Sequence, residues 1–223
     1  MRRAFTLALI LAFLSASCAS YTPQSVARPT VSSTVASREE QGFLVGVTPY
    51  VEAEKSKQIF DADLKQAWIL ALQVMVSNNG PRRLAVRKSD FILRLPAGKE
   101  YLPAPATSVA TRLESHAGVI GWTIAFGLIG LLVASSQQDK ADSARRADFL
   151  SKEFQDTTLA PHESAHGFLF FLIPDDVREL KDTALVARGL IVADATGVTV
   201  VVPLGNLGVW HVQEAPTAQR PNF

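Results

Sequence analysis

The amino-acid sequence predicts a mainly β protein, an antiparallel β-sandwich interrupted by a helical hairpin. Short runs rich in β-branched and aromatic residues recur along the chain, most of them closed by glycine, proline or asparagine. The long crossover helices that a parallel sheet requires are mostly absent. Between the two groups of strands lies Ala117 to Ala134, AGVIGWTIAFGLIGLLVA, with no charge and no proline over 18 positions. As a helix it would be ~27 Å long, near the thickness of a bilayer core.

The N-terminus has the order of an export signal. Arg2 and Arg3 precede an apolar block from Ala4 to Leu14, followed by the small residues Ser15, Ala16 and Ser17, so residues 1–17 read as a signal peptide. Cys18, the only cysteine of the chain, falls where bacterial lipoprotein precursors are cleaved and acylated. Leu14-Ser15-Ala16-Ser17-Cys18 is similar to a lipobox, although its leucine stands four rather than three residues before the cysteine. Cleavage after Ala19 is the rival reading. A lone cysteine cannot form an intrachain disulfide in an oxidising compartment, and acylation, with palmitate among the added chains, accounts for it better.

The formal charge is +1 from 22 basic and 21 acidic residues; loss of Arg2 and Arg3 leaves 20 against 21, or −1. Arg82, Arg83, Arg87 and Lys88 are interleaved with apolar residues and make no basic stripe, so nucleic acid is not an expected partner. From residue 18 to 41 the chain is rich in Ser, Thr, Pro and Ala, a composition that buries too little surface to offset its ordering entropy. This segment is expected to be a flexible tether.

Order is predicted to begin at Phe43 to Thr48, a strand stopped by Pro49. Glu52 to Ala67 has helical periodicity, with Ile59, Phe60 and Leu64 on one face. Asp61 and Asp63 within it lack further oxygen ligands and read as solvated turn residues, not a cation site. Ile69 to Ser77 is a continuous apolar strand ended by Asn78-Asn79-Gly80-Pro81, and Leu84 to Val86 starts the return. Phe91 to Leu95, Ser164 to Ile173, Ala184 to Asp194 and Val198 to Val202 complete the β inventory. The domain is expected over residues 42–210, with an irregular tail over 211–223.

An insertion spans about residues 105–156. Its first arm is the apolar stretch; its second, Gln137 to Gln155, is polar and helical, with Asp142 and Arg146, and Asp148 and Lys152, four apart and the acid first. Ala147, Leu150 and Phe154 form its predicted apolar stripe. A single membrane pass through the first arm would strand the two β-halves on opposite sides of the bilayer. The arm therefore reads as one that lies in the membrane or packs on partner copies, with burial against its own domain as the alternative. Gly121, Ala125, Gly127, Gly130 and Ala134 are its candidate contact residues, because small residues at four-residue spacing allow close helix approach.

The export signal, Phe60-Asp61-Ala62-Asp63-Leu64, the Val74 to Gly80 turn, the glycine-bearing insert and the Leu159-Ala160-Pro161 to Phe171 element together resemble uncharacterised bacterial envelope lipoproteins with an immunoglobulin-like β-sandwich. The resemblance covers most of the mature chain and implies a fold and a location, with no activity and no catalytic residue.

One motif points to chemistry. His162-Glu163-Ser164-Ala165-His166 is a literal H-E-x-x-H, which on a helix places two histidines to ligate zinc and a glutamate to act as general base. Between Pro161 before it and Gly167 with the aromatic run Phe168 to Ile173 after it, a helix would be short and contain a glycine. On a strand the two histidines would stand ~13 Å apart at ~3.3 Å per residue, too far to share an ion. The segment reads as a turn entering a core strand. Asp175-Asp176 is expected to cap a short turn or helix through Leu180, and Trp68, Trp122 and Trp210 read as packing residues. The expected protein is thus no enzyme and needs no cofactor. It is a lipid-anchored envelope binding or structural module whose partners are membrane lipid and copies of itself or another envelope protein. A zinc hydrolase using His162, Glu163 and His166, and a carrier of an apolar ligand, are the alternatives.

Overall fold

The computed structural model describes residues 24–96, 98–120, 143–174, 176–208 and 210, with backbone only over 115–120. The signal segment, Cys18, the arm from Gly121 to Ala134, Trp122, Asp142 and the tail after Trp210 lie outside the described residues. Ten strands are described: β1 Ala36–Glu40, β2 Phe43–Tyr50, β3 Ile69–Asn78, β4 Leu84–Val86, β5 Phe91–Arg94, β6 Glu100–Tyr101, β7 Thr157–Leu159, β8 Ser164–Leu172, β9 Thr183–Ile191 and β10 Thr196–Gly205. Three helices accompany them, α1 Ala53–Phe60, α2 Ala106–Ile120 and α3 over 143–152.

The strands form two antiparallel sheets. One runs β1-β2-β3-β8; in the other β9 carries β10 on one side and β4 and β5 on the other, with β7 beside β4 and β6 beside β5. Strands from before and after the insertion pair directly, β3 with β8 and both β4 and β5 with β9. That pairing makes the two halves one sheet system, which a single membrane pass between them would not allow. Among the described residues no helix is long and apolar enough to cross a membrane.

Why β3 is apolar without alternation follows from its surroundings. Leu70, Leu72, Val74 and Val76 point into the sandwich core with Phe43, Val45 and Val47 of β2, Leu169 and Phe171 of β8, and Phe91, Leu93, Leu185, Val198 and Val200 of the second sheet. The opposite side chains, Ile69 and Ala71, join Phe168 and Phe170 of β8 beneath Phe60, Leu64, Val109, Leu113 and Phe149 of the helical segments. The first sheet is therefore the middle of three layers, and β3 with residues 167–171 of β8 is buried on both faces, which selects hydrophobic residues at successive positions. Phe60 sits at the centre of the second core, its ring 5.0 Å from those of both Phe149 and Phe168 and 5.7 Å from Phe170.

Several boundaries differ from the sequence expectation for identifiable reasons. Residues 36–40, inside the expected tether, form β1, paired to β2 through a two-residue turn in which Gln41 and Gly42 both have positive φ. Backbone pairing, not side-chain burial, orders this polar strand. Pro49 does not stop β2, which continues to Tyr50; β1 reaches only Val47, so the edge at Pro49 needs no N–H. Helix α1 ends at Phe60, seven residues short of the expected Ala67, because Asp61 adopts the left-handed conformation (φ 52°) and its N–H caps Lys57 O at 2.8 Å. The buried Ser56 hydroxyl then donates to Ala62 O at 2.8 Å and accepts the Leu64 N–H at 3.1 Å, folding the chain back so that Leu64 and Ala67 still reach the core. Asp63 faces the Gln66 N–H at 3.4 Å. Beyond Pro174 the described residues form a turn, as one of the two expected forms: Val177 N–H bonds Pro174 O, Leu180 N–H bonds Gly208 O, and Asp176 pairs with Lys99 at 2.8 Å, while Asp175 lies outside the described residues. In α3 the buried aromatic is Phe149, whereas Ala147 and Leu150 face outward.

The turn after β3 is held by one side chain. Asn78, 3% exposed, donates from Nδ2 to Arg82 O at 2.7 Å and Leu159 O at 3.2 Å, and its Oδ1 accepts the Gly80 N–H at 3.1 Å. Truncation removes one buried hydrogen bond, to Leu159 O, and two part-buried ones that close the turn. Asn78→Ala is expected to lower stability by about 2 kcal/mol, and Asn78→Asp by a similar amount because the donor is lost; urea unfolding with an unchanged m-value is the measurement.

Candidate functional site

The H-E-x-x-H residues are not on a helix. His162 has φ 65°, and its N–H donates to Asn78 O at 2.6 Å within the turn that enters β8. Glu163 closes the same turn, its Oε2 accepting the Ala160 N–H at 2.8 Å and its carbonyl accepting the Asn78 N–H at 2.9 Å. His166 lies further along β8, opposite Met75. The glutamate is thus a turn cap, and the two imidazoles belong to different structural contexts. Among the described residues no group of three or more His, Cys, Asp or Glu side chains is placed to hold a metal ion.

His166 instead borders a groove of about 460 Å³ on the outer side of the middle sheet, between β8, α3 and the N-terminal segment Gln24 to Val26. Its floor is Gln73 and Phe168, and its wall is Asp148, Ser151 and Lys152. The order of the elements explains the site. Gly167 lets the chain leaving α3 run against β8: a Cβ there would stand 2.5 Å from Phe154 Cα, where Phe154 N–H bonds Phe168 O at 2.9 Å. Gln73 is polar in an otherwise apolar strand because it has two partners, accepting from Tyr50 Oη at 3.2 Å and donating from Nε2 to Ala27 O at 3.2 Å.

Two charged groups organise the helical layer. Lys152 is almost wholly buried, paired with Asp148 one turn earlier, donating to Ile59 O at 2.9 Å and lying 5.5 Å from the Phe60 ring centroid. Glu153 accepts both the Ala106 N–H at the start of α2, at 2.9 Å, and Lys88 Nζ at 2.7 Å. That carboxylate joins the first helix of the insertion to the end of the second, and bridges Ala104 to Phe170 and Glu153 to Phe168 fasten both ends to the edge of β8. Further out, Arg146 forms a two-pronged pair with Glu114 of α2 at 2.9 and 2.6 Å, a link across helices; Asp142, its expected partner, lies outside the described residues.

The spacing of Asp148 and Lys152 is legible in the sequence as a helical pair; its burial is not. Phe149 beside the acid, and Phe154 two residues after the base, are the local signal that this turn of α3 faces inward. Glu153 and Gly167 carry no local signal, since the residues that need them are distant in the chain.

The imidazole of His166 is held below the ordinary histidine value of 6.5, first by desolvation against the groove and second by the nearby charge of Arg28. A histidine whose pKa is lowered on folding binds fewer protons than in the unfolded chain, so its contribution to stability is complete above pH 6.5 and declines as the pH falls toward the depressed value. A proton NMR titration should give His166 a midpoint below 6.5, and Arg28→Gln should move it part of the way back. An unchanged midpoint in that variant would remove Arg28 from the account.

No family model matches the chain, and no curated protein is similar to it in sequence. Three crystal structures overlay on most of it. A candidate lipoprotein, ycdA of Bacillus subtilis, is 15% identical with a TM-score of 0.38 over 75% of this chain, which spans 38% of the length of that one. The yjhA protein of Bacillus subtilis is 12% identical with a TM-score of 0.35, over 74% of this chain and 95% of that one. A candidate ApaA protein of Bordetella pertussis is 13% identical with a TM-score of 0.33, over 72% and 87%.

Proposed function

We propose that this is an exported envelope protein, anchored by an acylated Cys18, that acts as a binding or structural module and not as an enzyme. The observation that carries the reading is the order Arg2-Arg3, apolar block, small residues, single cysteine. The fold serves it as a rigid body: two facing antiparallel sheets with a helical layer fastened across the middle one. Two facing antiparallel sheets support the immunoglobulin-like reading only as far as a β-sandwich, and the β1-β2-β3 meander departs from the strand order of immunoglobulin domains. The apolar arm with Gly121, Ala125, Gly127, Gly130 and Ala134 then contacts lipid or a second copy.

Export in a bacterial host with labelled palmitate tests this. Labelled protein should partition into the detergent phase, and Cys18→Ala should lose the label and appear in the aqueous phase. Label-free native protein would sink the anchor. A carrier function is the second reading, favoured by the groove between β8, α3 and residues 24–26. Its lining of Gln73, Ser151 and His166 suits a ligand with hydrogen-bonding groups better than a wholly apolar one. Mass spectrometry of small molecules released from native protein reads it directly.

A further inference from the structure

The segment from Gln24 to β1 is docked on the domain. Val26 packs against the core that holds Phe60, Phe149 and Phe168, Ala27 O accepts Gln73 Nε2, and the turn Val31–Ser33 is closed by the Thr30 N–H to Ser33 Oγ bond at 2.8 Å. Val35 N–H then bonds Val47 O at 3.0 Å. A stretch free from Cys18 to Gln41 would reach about 80 Å at full extension and would let the domain take any orientation. With the chain held from Gln24 onward, six residue steps remain after Cys18, at most ~20 Å of extended chain.

Where Gln24 sits decides what that short link permits. It lines the groove beside α3, on the helical side of the middle sheet. The second sheet lies beyond the first by ~10 Å and the helices lie ~10 Å on the other side. Turning the exposed face of β9 and β10 to a bilayer would lift Gln24 roughly 20 Å from it and stretch the whole link taut. Turning the helical layer down leaves the link slack.

Resting on the reading that Cys18 is acylated, we propose that the outer face of α3, with the docked segment Gln24 to Arg28 beside it, is the surface this domain presents to a phospholipid bilayer. Ser143, Arg146, Ala147 and Leu150 follow helical spacing on that face and are exposed, Leu150 by 43%. Small side chains around an exposed leucine, with the half-exposed Arg146 paired to Glu114 beside them, suit an interface between headgroups and protein. The chain length and the place where it docks, rather than the apolarity of the face, select the bilayer as occupant.

The single native cysteine makes the test selective, because acylation blocks it and an introduced thiol is then the one that labels. Full-length acylated protein carrying Leu150→Cys or Thr199→Cys, the latter on the exposed face of β10, is labelled with a fluorophore. It is reconstituted into phosphatidylcholine vesicles with a minority of phosphatidylglycerol and a spin-labelled headgroup quencher. Quenching should be several-fold stronger at position 150 than at 199, and Gly-Ser repeats inserted after Ser20 should bring the two toward equality. Equal quenching without the insertion, or stronger quenching at 199, overturns the inference while leaving the anchor standing. A preference that survives the longer link overturns chain length as its cause. Intact mass of the detergent-extracted protein is measured first: an unmodified Cys18 overturns the anchor reading, and the inference falls with it.

Discussion

Gly167→Ala should be among the most damaging single substitutions in this protein, lowering stability by about 3 kcal/mol or preventing folding. The new methyl carbon would stand 2.5 Å from Phe154 Cα and 2.7 Å from Phe154 N, both backbone atoms that no rotamer change can move. Relief requires the chain leaving α3 to swing away from β8. That movement would break the Phe154 to Phe168 bond, loosen Glu153 from its two donors and open the core around Phe154, which is 1% exposed. Urea unfolding reads the loss, and hydrogen exchange should show it concentrated in α2, α3 and β8. A loss below about 1 kcal/mol would mean that the base of the insertion gives more easily than its hydrogen bonds imply.

The second large effect concerns the ion pair inside the helical layer. Asp148→Asn leaves the Lys152 ammonium buried with Ile59 O and the Phe60 ring but no counter-charge, at an expected cost of about 3–5 kcal/mol. The double variant Asp148→Leu with Lys152→Met should regain most of it, because two apolar groups need no charge solvation and keep a similar volume. Equal stability of the single and double variants would show that water reaches the pair. An exposed pair with the same spacing would move stability by less than about 1 kcal/mol, so the size of the single-variant loss reports burial directly.

How much of this was legible in the sequence depended on whether the cause was local. Strands β3, β4, β5 and β8 were visible as apolar runs because neighbouring residues carry the pattern, and Asn78 to Gly80 announced the turn through its residue types. β1 was invisible: Ala-Ser-Arg-Glu-Glu has no strand composition and is ordered by hydrogen bonds to β2. The premature end of α1 depends on a hydroxyl at Ser56 that finds its partners only when the chain folds back. For the candidate site, the sequence already read His162 to His166 as a turn entering a core strand, and the fold shows a turn, a cap and a strand residue. That His166 borders a groove was not legible, because Asp148, Lys152 and the segment from Gln24 that line it are distant in the chain. The residues that organise the helical layer, Asp148, Lys152 and Glu153, looked like an ordinary solvated helix face.

By itself the sequence determined that the chain is mainly β, that its first residues have the form of an export signal ending at a single cysteine, and that an apolar arm interrupts the strands. These are properties of composition and short-range order. The tertiary structure alone decided that β3 pairs with β8 across the insertion, that β3 is buried on both faces, and that the segment from Gln24 lies against the helical layer instead of hanging loose. Each of these decisions joins residues tens of positions apart. The free energy that selects them comes from burying faces against each other, and no local window of the chain contains both faces.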